Sequence, residues 1–373
     1  MTAAIRLPVA PRPFRDELLS SWMARVAARY DLEVPGLTAY LVGQGGRAPD
    51  LRKIDDICPD CGLLRLWARG CRIDSARLER LSLKSRYTER PQDWFFEGAR
   101  GTVPACLACF DADLAAGRDA YVRAEWRLAE QIVCPAHTEM LRDRCPGCGC
   151  HLRISFRIRD GRLRPFCRKC DGQLTGRGGA AAVRSAAEFA KTVFGLQRQA
   201  GRIVRGCADL RAQFEQAIRT LWAPLDRVDA ARPVLALWFD QPGWHCPFEV
   251  RAVVGTPAPL RRLPVRWRAL TLVVLQDLFG AALVSDGTMP EAASRLFRRV
   301  APTRYLSQER ASAICKGMPH ADRSKRGVQR LSVTTRLAPP AGFRRKALRH
   351  VHSDVVCDVS YARRGDAGRS SWY

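Results

Sequence analysis

The chain is short of acidic charge and has no long apolar run. Of its 373 residues, 37 are Asp or Glu and 62 are Lys or Arg, a formal net charge of +25 with a pI near 10.2. Such a balance favours polyanionic partners, nucleic acid ahead of anionic membrane. The alternative source of the excess is an arginine-rich proteome from a GC-rich genome. The longest apolar segment, Leu270 to Val284, is interrupted by Gln276-Asp277 and is too short to cross a bilayer, so it reads as a buried helix. Met1 to Pro13 carries prolines and arginines where a signal peptide needs a continuous apolar stretch. A cytoplasmic, reducing compartment with no membrane partner is therefore expected. Hydrophobic residues make up 47% of the chain, which excludes a disordered polyelectrolyte over most of its length.

Catalytic signatures are also missing. Gly43-Gln44-Gly45-Gly46-Arg47 lacks the Lys-Ser/Thr step and strand context of a phosphate-binding Walker loop. There is no His-Glu-x-x-His, and Cys134-Pro135-Ala136-His137 lacks the companion motifs of a zinc deaminase. No internal repeat is visible. Scattered acidic triads of the nuclease or transposase kind leave no motif, so a metalloenzyme stays open on this ground alone.

What the chain does have is cysteine, 15 in all. In a reducing compartment, close cysteine pairs point to metal rather than disulfides. Four pairs of x2 spacing fall within 65 residues: Cys106-x2-Cys109, Cys134-x2-His137, Cys145-x2-Cys148 and Cys167-x2-Cys170. An x2 spacing lets one tight turn present both ligand atoms to one ion, and eight ligands suffice for two tetrahedral sites. Thiolate and imidazole suit zinc, and four protein ligands leave no open position, which makes the sites structural rather than catalytic. Sequential pairing gives Cys106, Cys109, Cys134, His137 and Cys145, Cys148, Cys167, Cys170; an interleaved pairing is the alternative. Gly147 and Gly149 supply turn conformations. Arg142, Arg144, Arg168 and Lys169 are placed to offset thiolate charge. Cys150 and His151 read as residues beside the ligands or at the surface. Cys58 and Cys61 with Cys71 have no fourth local ligand and read as buried or incidental cysteines at a helix terminus. Cys207, Cys246, Cys315 and Cys357 are isolated.

Around this segment the periodicity is helical. Asp16 is the candidate N-cap for a helix whose apolar face is Leu18, Leu19, Trp22, Val26 and Tyr30. Further helices are expected near 35–42, 59–70, 74–83, within the helical stretch 182–223 and near 208–222, 230–239, 265–283 and 289–300. Glycines 43, 45 and 46 end the second, Asp56 is placed near the start of the third, and Asp74 or Ser75 caps the fourth. The short N-terminal helices fit a helix-turn-helix arrangement or a plain bundle. Arg153 to Arg164 alternates basic and apolar residues around Asp160-Gly161, a hairpin signal. Its basic face suits either nucleic acid or plain solvent. Thr175 to Gly179 reads as a linker. Trp238, Trp244 and Trp267 read as packing anchors. From Arg295 to Tyr373 there are 18 Lys+Arg against 5 Asp+Glu, a net +13, with poor apolar periodicity. This is a basic, disordered tail, suited to phosphate contacts or an extension without a role.

Three blocks resemble the TniQ/TnsD family of transposition targeting proteins. The first is Leu7-Pro8 through Pro13 followed by Glu17-Leu18-Leu19-Ser20-Ser21-Trp22-Met23-Ala24-Arg25-Val26-Ala27. The second is the Cys106 pair, Arg123-Ala124-Glu125-Trp126 and the Cys134 pair. The third is Leu141-Arg142-Asp143-Arg144-Cys145-Pro146-Gly147-Cys148-Gly149, closed by the Cys167 pair. The likeness is strong over about 5–170, fair to about 285 and absent beyond about 300. Two departures stand out: the first pair lacks the usual Cys-Pro-x-Cys, and Leu18 stands where the family usually has Ser.

The resemblance implies a non-catalytic adaptor with no catalytic residues. Such a protein links target DNA, or an RNA-guided CRISPR effector complex, to a transposon AAA+ ATPase regulator and the transposase, with a second copy of the chain as a further candidate partner. The short length favours the TniQ type over the longer attachment-site readers. A zinc-containing DNA-binding transcriptional regulator unrelated to transposition is the alternative. The expected architecture is mainly α with a small zinc-ribbon-like β region. It divides into an N-terminal helical, helix-turn-helix-like part (1–102), a two-zinc module (103–175), a C-terminal helical domain (180–300) and the tail (301–373).

Overall fold

The computed structural model describes residues 6–43, 54–98, 102–176, 184–225, 232–238 and 247–279. Gly45, Gly46, the linker beyond Gly176, Trp244, Cys246, the helix expected near 289–300 and the tail 301–373 with Cys315 and Cys357 lie outside the described residues. Tertiary contacts divide the chain into two units. The larger is Met1–Val234 with His245–Val273, and the smaller is Leu235–Trp244 with Val274–Tyr373. Every contact discussed here lies within the larger unit.

The described residues are mostly helical, with one two-stranded antiparallel sheet. In chain order they form α1 (Leu19–Ala28), α2 (Val34–Val42), α3 (Cys61–Cys71), α4 (Ser75–Glu79), α5 (Leu83–Arg86), α6 (Leu107–Ala115), β1 (Ile154–Arg159), β2 (Arg162–Cys167), α7 (Arg184–Arg205), α8 (Ala208–Leu221), α9 (Phe248–Arg251) and α10 (Val265–Phe279). The segment 234–238, expected as part of a longer helix, is a 3-10 turn. Among the described residues no helix is long and apolar enough to cross a membrane.

The apolar stripe of α1 nucleates the first core. Leu19, Trp22, Met23 and Val26 recur at three- and four-residue spacing, and all are buried with Leu37 and Leu41 of α2, Leu63, Leu64, Trp67 and Cys71 of α3, and Leu78 of α4. Trp22 and Trp67 meet edge to face at 5.8 Å. A Cβ on Gly70 would lie 2.6 Å from the end of the Leu41 side chain, so Leu41 would have to shift to admit a larger residue there. Leu7 is buried in the same core, and its amide donates to the Gly70 carbonyl at 2.8 Å, which anchors the proline-rich entry segment.

Helix caps differ from the local expectation. Asp16 does not cap α1; its carboxylate accepts from the Tyr121 hydroxyl at 2.8 Å. The residue at the α1 N-cap position is Leu18, whose side chain cannot accept a hydrogen bond. The Ser20 amide and hydroxyl instead donate to the two carboxylate oxygens of Asp56, each at 2.8 Å. Asp56, placed by sequence near the start of α3, therefore serves α1. Asp60 caps α3 by accepting from the Leu63 amide at 2.7 Å. Asp74 caps α4 as expected, while Ser82 starts a separate α5 and so splits the helix expected over 74–83. The long helical stretch after 182 breaks at Gly206-Cys207 into α7 and α8.

A second aromatic core lies under the metal-ligand segment. Trp126 meets Phe110 at 5.6 Å, Trp94 stacks on Phe214 at 5.8 Å, and Trp267 packs against Trp222 at 6.0 Å. The indole of Trp94 donates to Glu215 at 2.8 Å, which ties α8 to this core.

Candidate metal centres

Three of the four x2 pairs fold into the same knuckle. In each, the first ligand's carbonyl accepts from the amide four residues on, and its amide donates to the carbonyl five residues on. These bonds are Thr138 to Cys134 and Cys134 to Glu139 at 2.8 Å, Gly149 to Cys145 and Cys145 to Cys150 at 2.8 Å, and Asp171 to Cys167 at 2.8 Å with Cys167 to Gly172 at 2.9 Å. An antiparallel bridge flanks each one: Val133 with Met140, Arg144 with His151, Phe166 with Gln173. The residue after the second ligand has a positive φ every time: 52° at Thr138, 68° at Gly149, 54° at Asp171. That left-handed residue reverses the chain so that both ligand atoms face one point. Glycine adopts it freely and Asp at modest cost, but a β-branched Thr there is strained. Strain of this kind persists where the surroundings over-determine it, as at a ligand clamp.

The fourth pair is built differently. Cys106 occupies the N-cap position of α6 and Cys109 lies in its first turn. The helix N-terminus carries partial positive charge, which favours a thiolate beside it.

These elements gather the eight side chains into two groups in the sequential arrangement. The ligand atoms of Cys106, Cys109, Cys134 and His137 lie within 4.8 Å of one another, as do those of Cys145, Cys148, Cys167 and Cys170. In the first group, His137 Nδ1 is 3.6, 3.3 and 3.6 Å from the sulfurs of Cys106, Cys109 and Cys134. Cys109 and Cys134 sulfurs are 3.5 Å apart. In the second group, Cys145 and Cys170 sulfurs are 3.8 Å apart, and those of Cys148 and Cys167 3.9 Å. An ion held tetrahedrally at about 2.3 Å from sulfur and about 2.0 Å from nitrogen places its ligands about 3.8 Å (S–S) and about 3.5 Å (S–N) apart. Both donor sets fit such an ion, and both groups could hold a metal.

Electrostatics point the same way for the first group. Contacts with Cys106 and Cys134, together with burial, hold the Cys109 thiol far above its ordinary value. The same sulfur contacts, with Cys106 and Cys109, hold Cys134 far below its own. Three sulfurs this close cannot all ionise beside one another; a bound cation removes that conflict. One fixed positive charge is already adjacent. Arg123 lowers the cost of a Cys109 thiolate and is held by Asp113 at 2.9 Å and by the faces of Tyr121 and Trp126 at 4.4 and 5.2 Å. Arg144 and Arg168, which the sequence places to offset thiolate charge, also form ion pairs, Arg144 with Glu249 and Arg168 with Glu33 at 2.6 Å.

The groups differ in exposure. Cys106, Cys109 and Cys134 are buried, and His137 is half-buried. In the second group Cys145 and Cys167 are buried, Cys148 half-buried and Cys170 exposed. This group closes the open end of the β1–β2 hairpin. Ile154 pairs with Cys167 at that end, and Asp160-Gly161, with φ of 52° and 72°, forms the two-residue turn at the other.

Long-range polar contacts fix the groups to the helices. Arg25 of α1 pairs with Glu17 at 2.7 Å and Asp119 at 3.2 Å, and Arg29 pairs with Asp119 at 2.8 Å. Asp119 also accepts from the Leu163 amide in β2 at 3.0 Å. Burial raises the Asp119 carboxyl, but the Leu163 amide and the two arginines outweigh it and hold the group below its usual range. Glu17 is pushed up to about 7 by burial, against the pull of Arg25 and hydrogen bonds from the Phe14 amide and Ser21. The buried Gln197 of α7 accepts from the Ile132 and Val133 amides at 2.8 Å and donates to the Val133 carbonyl at 2.9 Å. Asp143 accepts from the Val265 amide at 2.7 Å. Arg268 is fully buried and donates to the carbonyls of Leu128, Ala129 and Gln131 at 3.2, 2.9 and 3.2 Å. Sequence reasoning did not find Asp119, Gln197 or Arg268, because their partners lie 44 to 140 residues away.

The remaining cysteines among the described residues stay apart from both groups. Cys58, Cys61 and Cys207 are exposed, Cys150 is half-buried, and burial pushes the Cys71 thiol up to about 12. Among the described residues, no third group of ligand-type side chains forms.

Compared with known families, residues 8–141 match the TniQ family model. The match contains Glu17, Arg25, Asp119 and all four ligands of the first group, and it ends four residues before Cys145. No curated protein matches the chain.

Proposed function

Taking residues 8–141 as a TniQ domain, we propose that the chain is a non-catalytic transposition accessory protein of the TniQ type. In this reading it links target DNA, or an RNA-guided CRISPR effector complex, to a transposon AAA+ ATPase regulator and so to the transposase, in the cytoplasm. The observation that carries the reading is the family match ending over a closed four-ligand group. A domain of a transposition-associated family holds Cys106, Cys109, Cys134 and His137 as a set with no vacant ligand position.

The metal in this reading is zinc, one ion in each group, with Cys106, Cys109, Cys134 and His137 holding the first and Cys145, Cys148, Cys167 and Cys170 the second. A bound zinc would cross-link the segments that carry its ligands. The chain's own residues do the rest. Arg123 offsets thiolate charge, the three knuckles aim the ligand atoms, and Asp119, Gln197 and Asp143 hold the metal-ligand segment between α1 on one side and α7 and α10 on the other. The result is a rigid platform with four protein ligands at each ion, which leaves no site for an activated water. The basic tail 301–373, outside the described residues, serves this role as a phosphate-binding extension.

The test is an insertion profile of the parent element with and without this gene. The reading expects insertion to be lost or redistributed on deletion, and to be restored by the wild-type chain but not by Cys134→Ser. An unchanged insertion profile after deletion sinks the function.

A further inference from the structure

One face of the β1–β2 ribbon is an array of arginines. The antiparallel register places Arg157 opposite Arg164 and Arg159 opposite Arg162. Residues directly paired across strands share a face, so all four guanidiniums project from the same side. The intervening residues Phe156, Ile158, Leu163 and Pro165 take the other side, where Phe156, Leu163 and Pro165 are buried. Between Arg153 and Asp171 there are six Arg and one Lys against two Asp, a net +5 within 19 residues.

Like charges placed directly opposite in a sheet oppose its formation. The local anions here compensate weakly. Arg157 reaches Asp171 at 2.6 Å and Arg164 reaches Asp160 at 2.7 Å, but Asp171 is 61% exposed and Asp160 81%. Ion pairs at such exposure contribute little and exchange readily. Arg162 donates to the Gly117 carbonyl, and among the described residues Arg159 has no ion-pair partner. The face is therefore rigid in backbone and crowded with like charge, and its anions are easily displaced.

We infer that this arginine face is a docking surface for duplex DNA, held through its phosphates. Duplex is favoured over single strand by the aromatic inventory. Phe166 lies on the same face but is buried, with the Arg157 guanidinium 5.5 Å above its ring, so no open ring is offered for base stacking. The surface rests on the strand register; the choice of DNA over RNA rests on the proposed transposition role.

The test uses the full-length chain in two measurements. The first compares wild type with the quadruple variant Arg157→Gln, Arg159→Gln, Arg162→Gln and Arg164→Gln in binding a DNA duplex and an RNA duplex of about 30 base pairs across a salt series. Losing four phosphate contacts is expected to cost at least about tenfold in DNA affinity near physiological salt and to make the log–log salt slope about 3.6 units shallower. Equal affinity and slope in the two proteins overturns the surface. A wild-type preference for the RNA duplex that the variant loses overturns the choice of DNA. The second measurement places a photo-crosslinking residue at Arg159 or at Ile158, adjacent positions on opposite faces. Crosslinking to DNA from position 159 and not 158 supports the surface, whatever the tail contributes. Crosslinking equally from both, or from 158 alone, overturns it. If the quadruple variant loses DNA binding while deletion of the gene leaves the insertion profile unchanged, the surface stands and the proposed function falls.

Discussion

The two ligand groups use the same residue spacing to different ends. The first joins a helix N-terminus to a knuckle, is largely buried, and sits inside the matched residues 8–141. The second joins two knuckles across the ends of a hairpin, has an exposed ligand in Cys170, and lies past the end of the family match. The contrast teaches that x2 spacing specifies where ligand atoms converge, while the neighbouring helices and aromatic residues decide how much of the fold depends on them. The first group is set to be the keystone of the helical domain, the second the clasp of a ribbon.

The largest expected effect separates these roles. Cys134→Ser removes a ligand from the first group, and structural zinc carries on the order of 10 kcal/mol of apparent binding energy, as much as the whole stability of an average domain. The variant is expected to show no cooperative unfolding transition. Cys145→Ser is expected to unfold the ribbon and its clasp while the near-ultraviolet dichroism of the Trp22–Trp67 core persists. Cys150→Ser is expected to leave both intact. If the first two variants are equally damaging, the keystone-and-clasp contrast is broken.

Metal release sharpens the same contrast. With a chelator in excess, two phases are expected, the faster from the second group through exposed Cys170. Cys170→Ser should remove the fast phase and leave the slow one. A single phase contradicts the difference in enclosure.

Asp119 couples the two regions by holding Arg25, Arg29 and the β2 backbone together. Asp119→Ala leaves Arg29 without its carboxylate and Arg25 with Glu17 alone, so the expected loss is smaller than that of fully breaking a buried pair, about 3–5 kcal/mol. Urea denaturation should report that loss, together with faster amide exchange at Leu163. No change at Leu163 would mean the ribbon is held to α1 by other contacts.

The smallest expected effect is a pH dependence. Glu17 titrates near 7 in the folded chain against an ordinary 4.5. The folded state therefore binds the proton more tightly, and this group's contribution to stability falls as pH rises from 4.5 to about 7. Glu17→Gln removes that slope. Relative to the variant, the wild type should lose stability across this window and hold level above it. A wild type that instead gains stability relative to the variant would show that Arg25 outweighs burial.

Much of this was readable in the chain because it is local. The four x2 pairs, the Asp160-Gly161 turn and the apolar stripe of α1 depend on residues within a few positions of one another, where spacing is itself geometry. The helix α6 was not read, since its Leu107, Phe110 and Leu114 fall inside a segment dominated by the cysteine pattern. The Asp56 cap on α1 spans 36 residues, and the Arg25–Asp119 pair 94. Contacts of that range leave no periodic trace, and any carboxylate at those positions looks like an ordinary surface residue until the fold brings it in. The repeated knuckle was half legible: Gly149 announced its left-handed turn, whereas Thr138 and Asp171 did not.

The central claim is that both groups are closed metal sites of sulfur-rich composition. Elemental analysis of the native, full-length protein combined with X-ray absorption at the metal edge tests it most directly. About two zinc ions per chain are expected, with an average shell of seven sulfurs to one nitrogen across the two sites, from seven cysteines and one histidine. A folded chain without metal, or a shell rich in oxygen, contradicts it.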